Sequence, residues 1–470
     1  MDTLKQITNP YLPSWEYIPD GEPYVFGDRL YVYGSHDRFN GDVYCMGDYV
    51  CWSADINDLG SWRYEGVIYK KSDDPANTDL QGNLYAPDVT VGPDGRYYLY
   101  YVLSNSAVVS VAVCDEPAGR YRFIGNVHYE DGTLLGEREG DEPQFDPGVI
   151  TENDKTYMYT GYCPIDDTAR HGAMCTVLGP DMLTVIKDPV FVAPATHNSI
   201  GTQYEGHAFF EAPSIRKKNG LYYFIYSSQV CRELCYATSS SPDRDFVYRG
   251  VLVDNGDIGI DTYKRADMPG CYCANNHGSM IELNGQWYIF YHRHTNGTNY
   301  SRQGCFEKLI PADDIRFKQS ELTSCGSVPF TVKGYYPAYL ACNLFTSVEE
   351  LSVPWCGWMD DRFPKITQEG RDGDEELGYV CNMRDTASAG FKYFDCKDAK
   401  VIRVKTKGYA TGRLEVRTKW DGPLLGSFPI EYANVWHDTE GSVSIPDGIN
   451  SLYFTFSGEG HLQFAGFTLG

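Results

Sequence analysis

Apolar and aromatic positions in the first 320 residues fall into five similar bursts, each entered through a pair of Gly, Asp or Asn residues. The copies read Gly27-Asp28-Arg29-Leu30-Tyr31-Val32-Tyr33, Asp94-Gly95-Arg96-Tyr97-Tyr98-Leu99-Tyr100, Asn153-Asp154-Lys155-Thr156-Tyr157-Met158-Tyr159, Asn219-Gly220-Leu221-Tyr222-Tyr223-Phe224-Ile225-Tyr226 and Asn284-Gly285-Gln286-Trp287-Tyr288-Ile289-Phe290-Tyr291. The turn pair supplies positive φ angles and the run after it favours extended chain, so each copy predicts a hairpin. Residues 51–55, 109–113, 173–177, 234–238 and 303–306 read as third strands, and 121–123 and 246–248 as fourth strands. The copies lie about 60 to 67 residues apart, the spacing of a four-stranded propeller blade with generous loops. No long stretch carries a 3.6-residue period. The prediction is an all-β chain whose residues 1–320 close into a five-bladed β-propeller, a ring without free sheet edges.

The pattern changes after Pro311-Ala312-Asp313-Asp314. Residues 321–340 read as a connector. Residues 341–470 alternate in the manner of a jelly-roll-like β-sandwich, with separate strands expected at 401–405, 412–417, 451–456 and 462–467.

Composition narrows the function. The net charge of −24 argues against nucleic acid or an anionic membrane as partner. No segment approaches the ~20 apolar residues of a membrane span. The 15 cysteines are odd in number and scattered, which fits reduced, buried thiols better than a disulfide framework. Residues 1–10 have no apolar signal core, so the sequence as it stands predicts a cytoplasmic protein, or a secreted one if a signal was removed. No Gly-x-Gly-x-x-Gly opens a helix and no calcium loop of spaced Asp residues is present.

The candidate chemistry sits before the hairpins. Counting back 10 or 11 residues from the Tyr of each copy reaches Asp20, Asp88, Asp146, Glu211 and His277. In a propeller such positions start the inner strands and surround the axis. Four carboxyl groups and an imidazole facing one another have their pKa values pushed apart, so that an acid and a carboxylate coexist at neutral pH.

These residues resemble glycoside hydrolase family 43 over about residues 9–320. The resemblance is carried by Asn9-Pro10, Asp20, Tyr33-Gly34-Ser35-His36-Asp37, Ala86-Pro87-Asp88, Asp146-Pro147, Glu211-Ala212-Pro213, His277-Gly278-Ser279 and Arg302. It implies Asp20 as general base, Glu211 as general acid, and Asp146 as the group that orients Glu211 and raises its pKa. Asp37, Asp88, His277 and Arg302 follow as substrate-binding candidates. For Asp88 the alternative is support of an inner strand, for Asp37 a supporting contact, and for His277 contact with a central ion. The family's Asp-Pro reads Asp20-Gly21-Glu22-Pro23 here, so Glu22 competes with Asp20 as the base. The implied activity is inverting, exo-acting hydrolysis of plant-type pentose glycans, as an α-L-arabinofuranosidase or β-xylosidase. Alternatives are a glycosidase on galactose-containing glycans and a non-catalytic sugar-binding propeller, the latter predicting loss of one of three acids that are all present. The chemistry requires no cofactor, and a structural calcium in the propeller centre or the C-terminal domain is the one ion the resemblance suggests. The C-terminal part is similar to carbohydrate-binding module family 6. Tyr432 and Trp436 are its candidate sugar-stacking aromatics, with core packing favoured for Trp436.

Overall fold

The computed structural model of the chain describes residues 7–331, 333–347, 351–352 and 362–470. The first six residues of the stretch read for a signal core, and parts of 341–470, lie outside them. All five hairpins form on the expected turns. Blade one holds Glu22–Phe26, Arg29–Tyr33, Tyr49–Asp55 and Asp58–Tyr69. Blade two holds Asp88–Val91, Tyr97–Tyr101, Ser110–Cys114 and Arg122–Asn126. Blade three holds Gly148–Glu152, Lys155–Thr160, Gly172–Leu178 and Val185–Pro194. Blade four holds Phe209–Lys218, Leu221–Ser228, Glu233–Ser239 and Val247–Asp254. Each is an antiparallel meander. Blade five has three strands, Met280–Leu283, Gln286–His294 and Arg302–Lys308.

The ring closes through the N-terminal segment. Tyr11 N–H donates to Gly304 O (3.2 Å). Asn9 acts as a strand with its side chain: Phe306 N–H donates to Asn9 Oδ1 (2.9 Å), and Asn9 Nδ2 donates to Phe306 O (2.9 Å) and Glu307 Oε1 (2.8 Å). Those bonds occupy the edge of blade five's third strand, where a fourth would pair. On the inner side, Gly21 of blade one bridges Gly278 of blade five in parallel.

The tyrosines of the repeat explain themselves by where their hydroxyls go. Tyr33, Tyr100 and Tyr159 hold equivalent positions at or one residue before the end of their second strands and are fully buried. Each reaches a backbone carbonyl in the outer loop of the next blade: Pro117 O (2.7 Å), Met182 O (2.8 Å) and Pro242 O (2.5 Å). The ring fills the space between blades and the hydroxyl satisfies a buried acceptor, which phenylalanine could not do.

The C-terminal part is a sandwich-like sheet around Phe391, Phe394, Phe454, Phe464 and Phe467. Two expectations are corrected here. The four strands expected at 401–405, 412–417, 451–456 and 462–467 are halves of two long strands, Val401–Arg417 and Gly448–Leu469. Glycines within them let the paired strands approach closely: a Cβ on Gly412 would lie 2.2 Å from Ser457 O, and one on Gly458 2.2 Å from Thr411 O. Trp436 is outside the core and half-buried, its ring against Tyr379 (5.3 Å) and under Lys407 Nζ (4.4 Å). The expected connector is also not slack, since Tyr335–Pro337 pairs with residues 466–468 and Phe330 bridges Phe394.

The sandwich grips the propeller. Lys392 Nζ, buried, reaches Asp257 Oδ2 (3.3 Å) and Glu321 Oε1 (2.7 Å). At the rim, Asn296 N–H donates to Ile366 O (2.6 Å) and Phe39 N–H to Asp372 Oδ1 (2.8 Å). Replacing Asn9 with Ala leaves the buried Phe306 and Glu307 groups without these partners. Urea denaturation is expected to show a loss of about 3 kcal/mol; an unchanged midpoint would mean that the ring is closed elsewhere.

Candidate active site

Strand pairing defines which residues are equivalent around the axis. One level consists of Glu22, Asp88, Gly148, Ser214 and Ser279, which face Tyr33, Tyr100, Tyr159, Ile225 and Phe290 on their second strands. Two positions earlier the strands reach the mouth with Asp20, Ala86, Asp146 and His277. Blade four reaches it with Glu211, after a register shift between Glu211 and Ser214 that inserts one residue. Asp88 therefore belongs to the deeper level. Blade two closes its hairpin with Pro93-Asp94-Gly95 between the paired Gly92 and Arg96, one residue more than blade one uses, and this moves its mouth position to Ala86.

Backbone strain aims the mouth residues. Asp20 (φ 58°), Asp146 (φ 48°) and Ala212 (φ 62°) are non-glycine residues in the left-handed region. Each costs about 1–3 kcal/mol and persists only where the surroundings hold it. The Ala212 N–H favours the charged form of the Asp146 carboxyl, linking that group to the residue next to Glu211.

Arg302 organises the other side. Its Nε and Nη2 grip Asp37 Oδ2 (2.8 Å) and Oδ1 (3.0 Å), and Nη1 donates to Asp20 Oδ1 (3.0 Å). Asp37 is buried beneath Arg302 and does not reach the cavity. Asp20 also accepts a bond from Ser35 Oγ, and His292 Nδ1 lies 3.3 Å from its Oδ1. Burial alone would raise the Asp20 carboxyl. The Arg302 charge and the His292 contact outweigh it and hold the group well below the usual carboxylate range.

Glu211 has no such partner. Burial first, and the Asp20 charge second, raise it to about 8. Asp146 is raised as well, by burial first, then by Glu211 and Asp20, and repulsion between two carboxyl groups acts on both of them. His277 lies between the levels, Nδ1 3.6 Å from Asp146 Oδ2 and Nε2 3.9 Å from Glu22 Oε1. Burial lowers it to about 4 against the pull of Asp20, so the ring is neutral at pH 7.

Asp20, Asp146, Glu211, His277 and Arg302 line one cavity of about 380 Å³. Its walls are aromatic, with Tyr44, Tyr85, Phe145, Tyr162 and Phe210. Three of these, in Tyr85-Ala86, Phe145-Asp146 and Phe210-Glu211, immediately precede a mouth residue, a signal that was open to sequence reading and missed. His292 and Asn275 were missed because nothing in their local sequence sets them apart.

A carboxylate and a protonated carboxylic acid facing one sugar-sized cavity is the equipment of a glycosidase. The family model of glycosyl hydrolases family 43 matches residues 8–314. The chain belongs to this family. It is a glycoside hydrolase. A xylosidase/arabinosidase from Thermoclostridium stercorarium is 61% identical over 468 residues, covering 99% of each chain. One of the same description from Bacteroides ovatus is 28% identical over 60% of this chain and 87% of its own. The solved arabinoxylan arabinofuranohydrolase of Bacillus subtilis, in complex with cellotetraose, has 20% identity and a TM-score of 0.53 over 99% of this chain and 98% of that one, a likeness of fold.

Beneath the mouth of the glycoside hydrolase, Arg216 plugs the axis. Its Nη2 donates to Glu22 Oε2 (2.6 Å) and its Nη1 to Tyr24 OH (3.1 Å). Tyr24 OH donates in turn to Asp88 Oδ1 (2.7 Å), and Val149 N–H to Asp88 Oδ2 (2.7 Å). Neither Glu22 nor Asp88 lines the cavity. Glu22 Oε1 has no hydrogen-bond partner and faces His277 Nε2. Of these two atoms only the Glu22 oxygen is of the kind a calcium ion binds; His277 Nε2 could meet no more than its water shell, and solvent would have to supply nearly all of the six to eight oxygen ligands. Bound there it would neutralise charge.

The two pKa shifts fix the shape of the pH profile. In the role of general acid that the family resemblance implies, Glu211 must carry a proton, so kcat/KM is expected to fall as pH rises through about 8. In the role of general base, Asp20 must be ionised and stays so, which keeps the acid side flat down to the ordinary carboxylate range. An alkaline limb at the pKa of an unperturbed carboxylate would contradict this assignment.

Proposed function

We propose that this glycoside hydrolase removes terminal α-L-arabinofuranosyl and β-xylosyl units from plant-type pentose oligosaccharides, by single displacement with inversion. The observation that carries the reading is the opposed protonation of Asp20 and Glu211 at one cavity. The pentose preference rests on the 61% identity to a xylosidase/arabinosidase along the whole chain.

In this mechanism Asp20 accepts a proton from water as the water attacks the anomeric carbon. Glu211 donates its proton to the leaving oxygen. Asp20 comes from blade one and Glu211 from blade four, with blade five between them. Residues so placed stand across the cavity and leave room for water, as inversion requires at about 6.5–9.5 Å separation. Asp146 is a positioning residue that acts on Glu211 through Ala212 N–H. Arg302 and the neutral His277 offer donors to sugar hydroxyls. The aromatic walls suit the apolar faces of one ring, which supports exo action.

The sandwich braces the rim in this reading. Its exposed Tyr409 and Tyr432, with ring centroids 5.0 Å apart, are suited to stack on a glycan, in keeping with the likeness to carbohydrate-binding module family 6.

A panel of nitrophenyl glycosides is expected to give the highest kcat/KM with α-L-arabinofuranoside or β-xyloside. Asp20→Asn and Glu211→Gln should each lower kcat by about 10²–10⁴-fold. Glu211→Gln should lose least on leaving groups that need no proton. Proton NMR should find the inverted anomer first. Retained configuration, or both variants as fast as the parent, would refute the mechanism.

A further inference from the structure

Among the described residues, one group of three His, Cys, Asp or Glu side chains lies close enough together to hold a metal ion: His207, Glu233 and Cys235, in blade four. None of them lines the catalytic cavity. Glu233 and Cys235 are two apart on the strand Glu233–Ser239, so both side chains project from the same face. His207 comes from the turn before the inner strand Phe209–Lys218.

The donor atoms already cluster. His207 Nδ1 lies 2.6 Å from Glu233 Oε1, Cys235 Sγ 3.6 Å from the same oxygen, and Sγ 3.9 Å from Nδ1. A tetrahedral zinc ion with ordinary bond lengths separates sulfur from nitrogen or oxygen ligands by about 3.5–3.6 Å, and nitrogen from oxygen by about 3.4 Å. Two of the three gaps are near those values; the third opens when metal replaces the proton between His207 and Glu233. The supporting contacts are also built. His207 stacks on Tyr248 (5.2 Å, 15°), and its carbonyl accepts from Tyr226 OH (2.7 Å). Ser228 Oγ donates to Glu233 Oε1 (2.5 Å). Glu233 and Cys235 are buried, while the His207 side chain is 37% exposed and offers the way in.

We propose that His207, Glu233 and Cys235 form a binding site for a borderline-soft divalent cation, zinc in the first instance, with solvent in the fourth position. The set of imidazole, carboxylate and thiolate selects such an ion over calcium or magnesium, which take oxygen ligands. Binding releases the thiol proton to solvent; the proton that His207 Nδ1 shares with Glu233 leaves as well when the ring is an imidazolium, and passes by way of solvent to Nε2 when the ring is neutral, so that a neutral imidazole ligates in either case. The ion ties the turn two residues before the acid-bearing strand to the third strand of the same blade. It braces blade four from outside the cavity.

The test uses the full-length protein after treatment with a chelator. Zinc titration by calorimetry is expected to find one ion fewer per chain in Cys235→Ser, and likewise in His207→Gln, than in the parent. Zinc should also raise the parent's unfolding temperature, and do so less in either variant. Cobalt replacing zinc should give a thiolate-to-cobalt charge-transfer band that Cys235→Ser abolishes. Equal stoichiometry in parent and both variants, or a cobalt band that survives Cys235→Ser, would overturn the site. His207→Gln alters a partly exposed side chain, so its result does not depend on repacking the interior around Cys235.

Discussion

Five inner strands converging on one axis crowd six carboxyl groups into a small volume: Asp20, Asp37, Asp146 and Glu211 toward the mouth, Glu22 and Asp88 beneath. Among the described residues two guanidinium groups meet them, Arg302 above and Arg216 below. Buried charge without a partner is costly, so the surplus acids respond by keeping protons. Which acids keep them follows from reach. Arg302 touches Asp20 and Asp37, and Asp20 stays ionised. Glu211 and Asp146, out of its hydrogen-bonding reach, are raised. The division into a carboxylate and a protonated acid is thus a consequence of having too few cations and one of them off-centre. A third cation bonded to Glu211 would remove its proton.

Much of this was legible because hairpins repeat. Paired Gly, Asp and Asn residues announced the blades, and the tyrosine near the end of the second strand in blades one to three marked its contact with the next blade. Counting along the chain found Asp20, Asp146 and His277, whose hairpins all have two-residue turns. It misjudged Asp88 because blade two's turn is one residue longer, which local sequence does not tie to a change of level. It reached Glu211 through two offsets that cancel. The count started from Tyr222 although Tyr223 is the equivalent residue, and the extra residue inserted near Ala212 restored the register. The choice between Asp20 and Glu22 needed the fold as well, because two residues along a strand separate a position open to the cavity from one closed by Arg216.

The sandwich was harder to read. Its longest strands pass through Gly408, Gly412, Gly458 and Gly460, and glycine inside a strand resembles glycine in a turn until the crossing partner is known. Its place against the propeller could not be inferred at all, since those contacts join residues from 70 to 333 positions apart. Yet that placement bears on the chemistry. Asp37 holds Arg302 by two bonds and so fixes the guanidinium that keeps Asp20 ionised. The backbone just past Asp37 is itself held, with Phe39 N–H bonded to Asp372, and the loop leading to Arg302 is held where Asn296 meets Ile366 and Thr367. Both anchors come from the second domain. A guanidinium displaced by a fraction of an ångström would let the Asp20 carboxyl drift upward and weaken its charge on Glu211, narrowing the difference between base and acid. The sandwich therefore shares in setting the protonation of a cavity it does not line, and cutting it away would release both anchors.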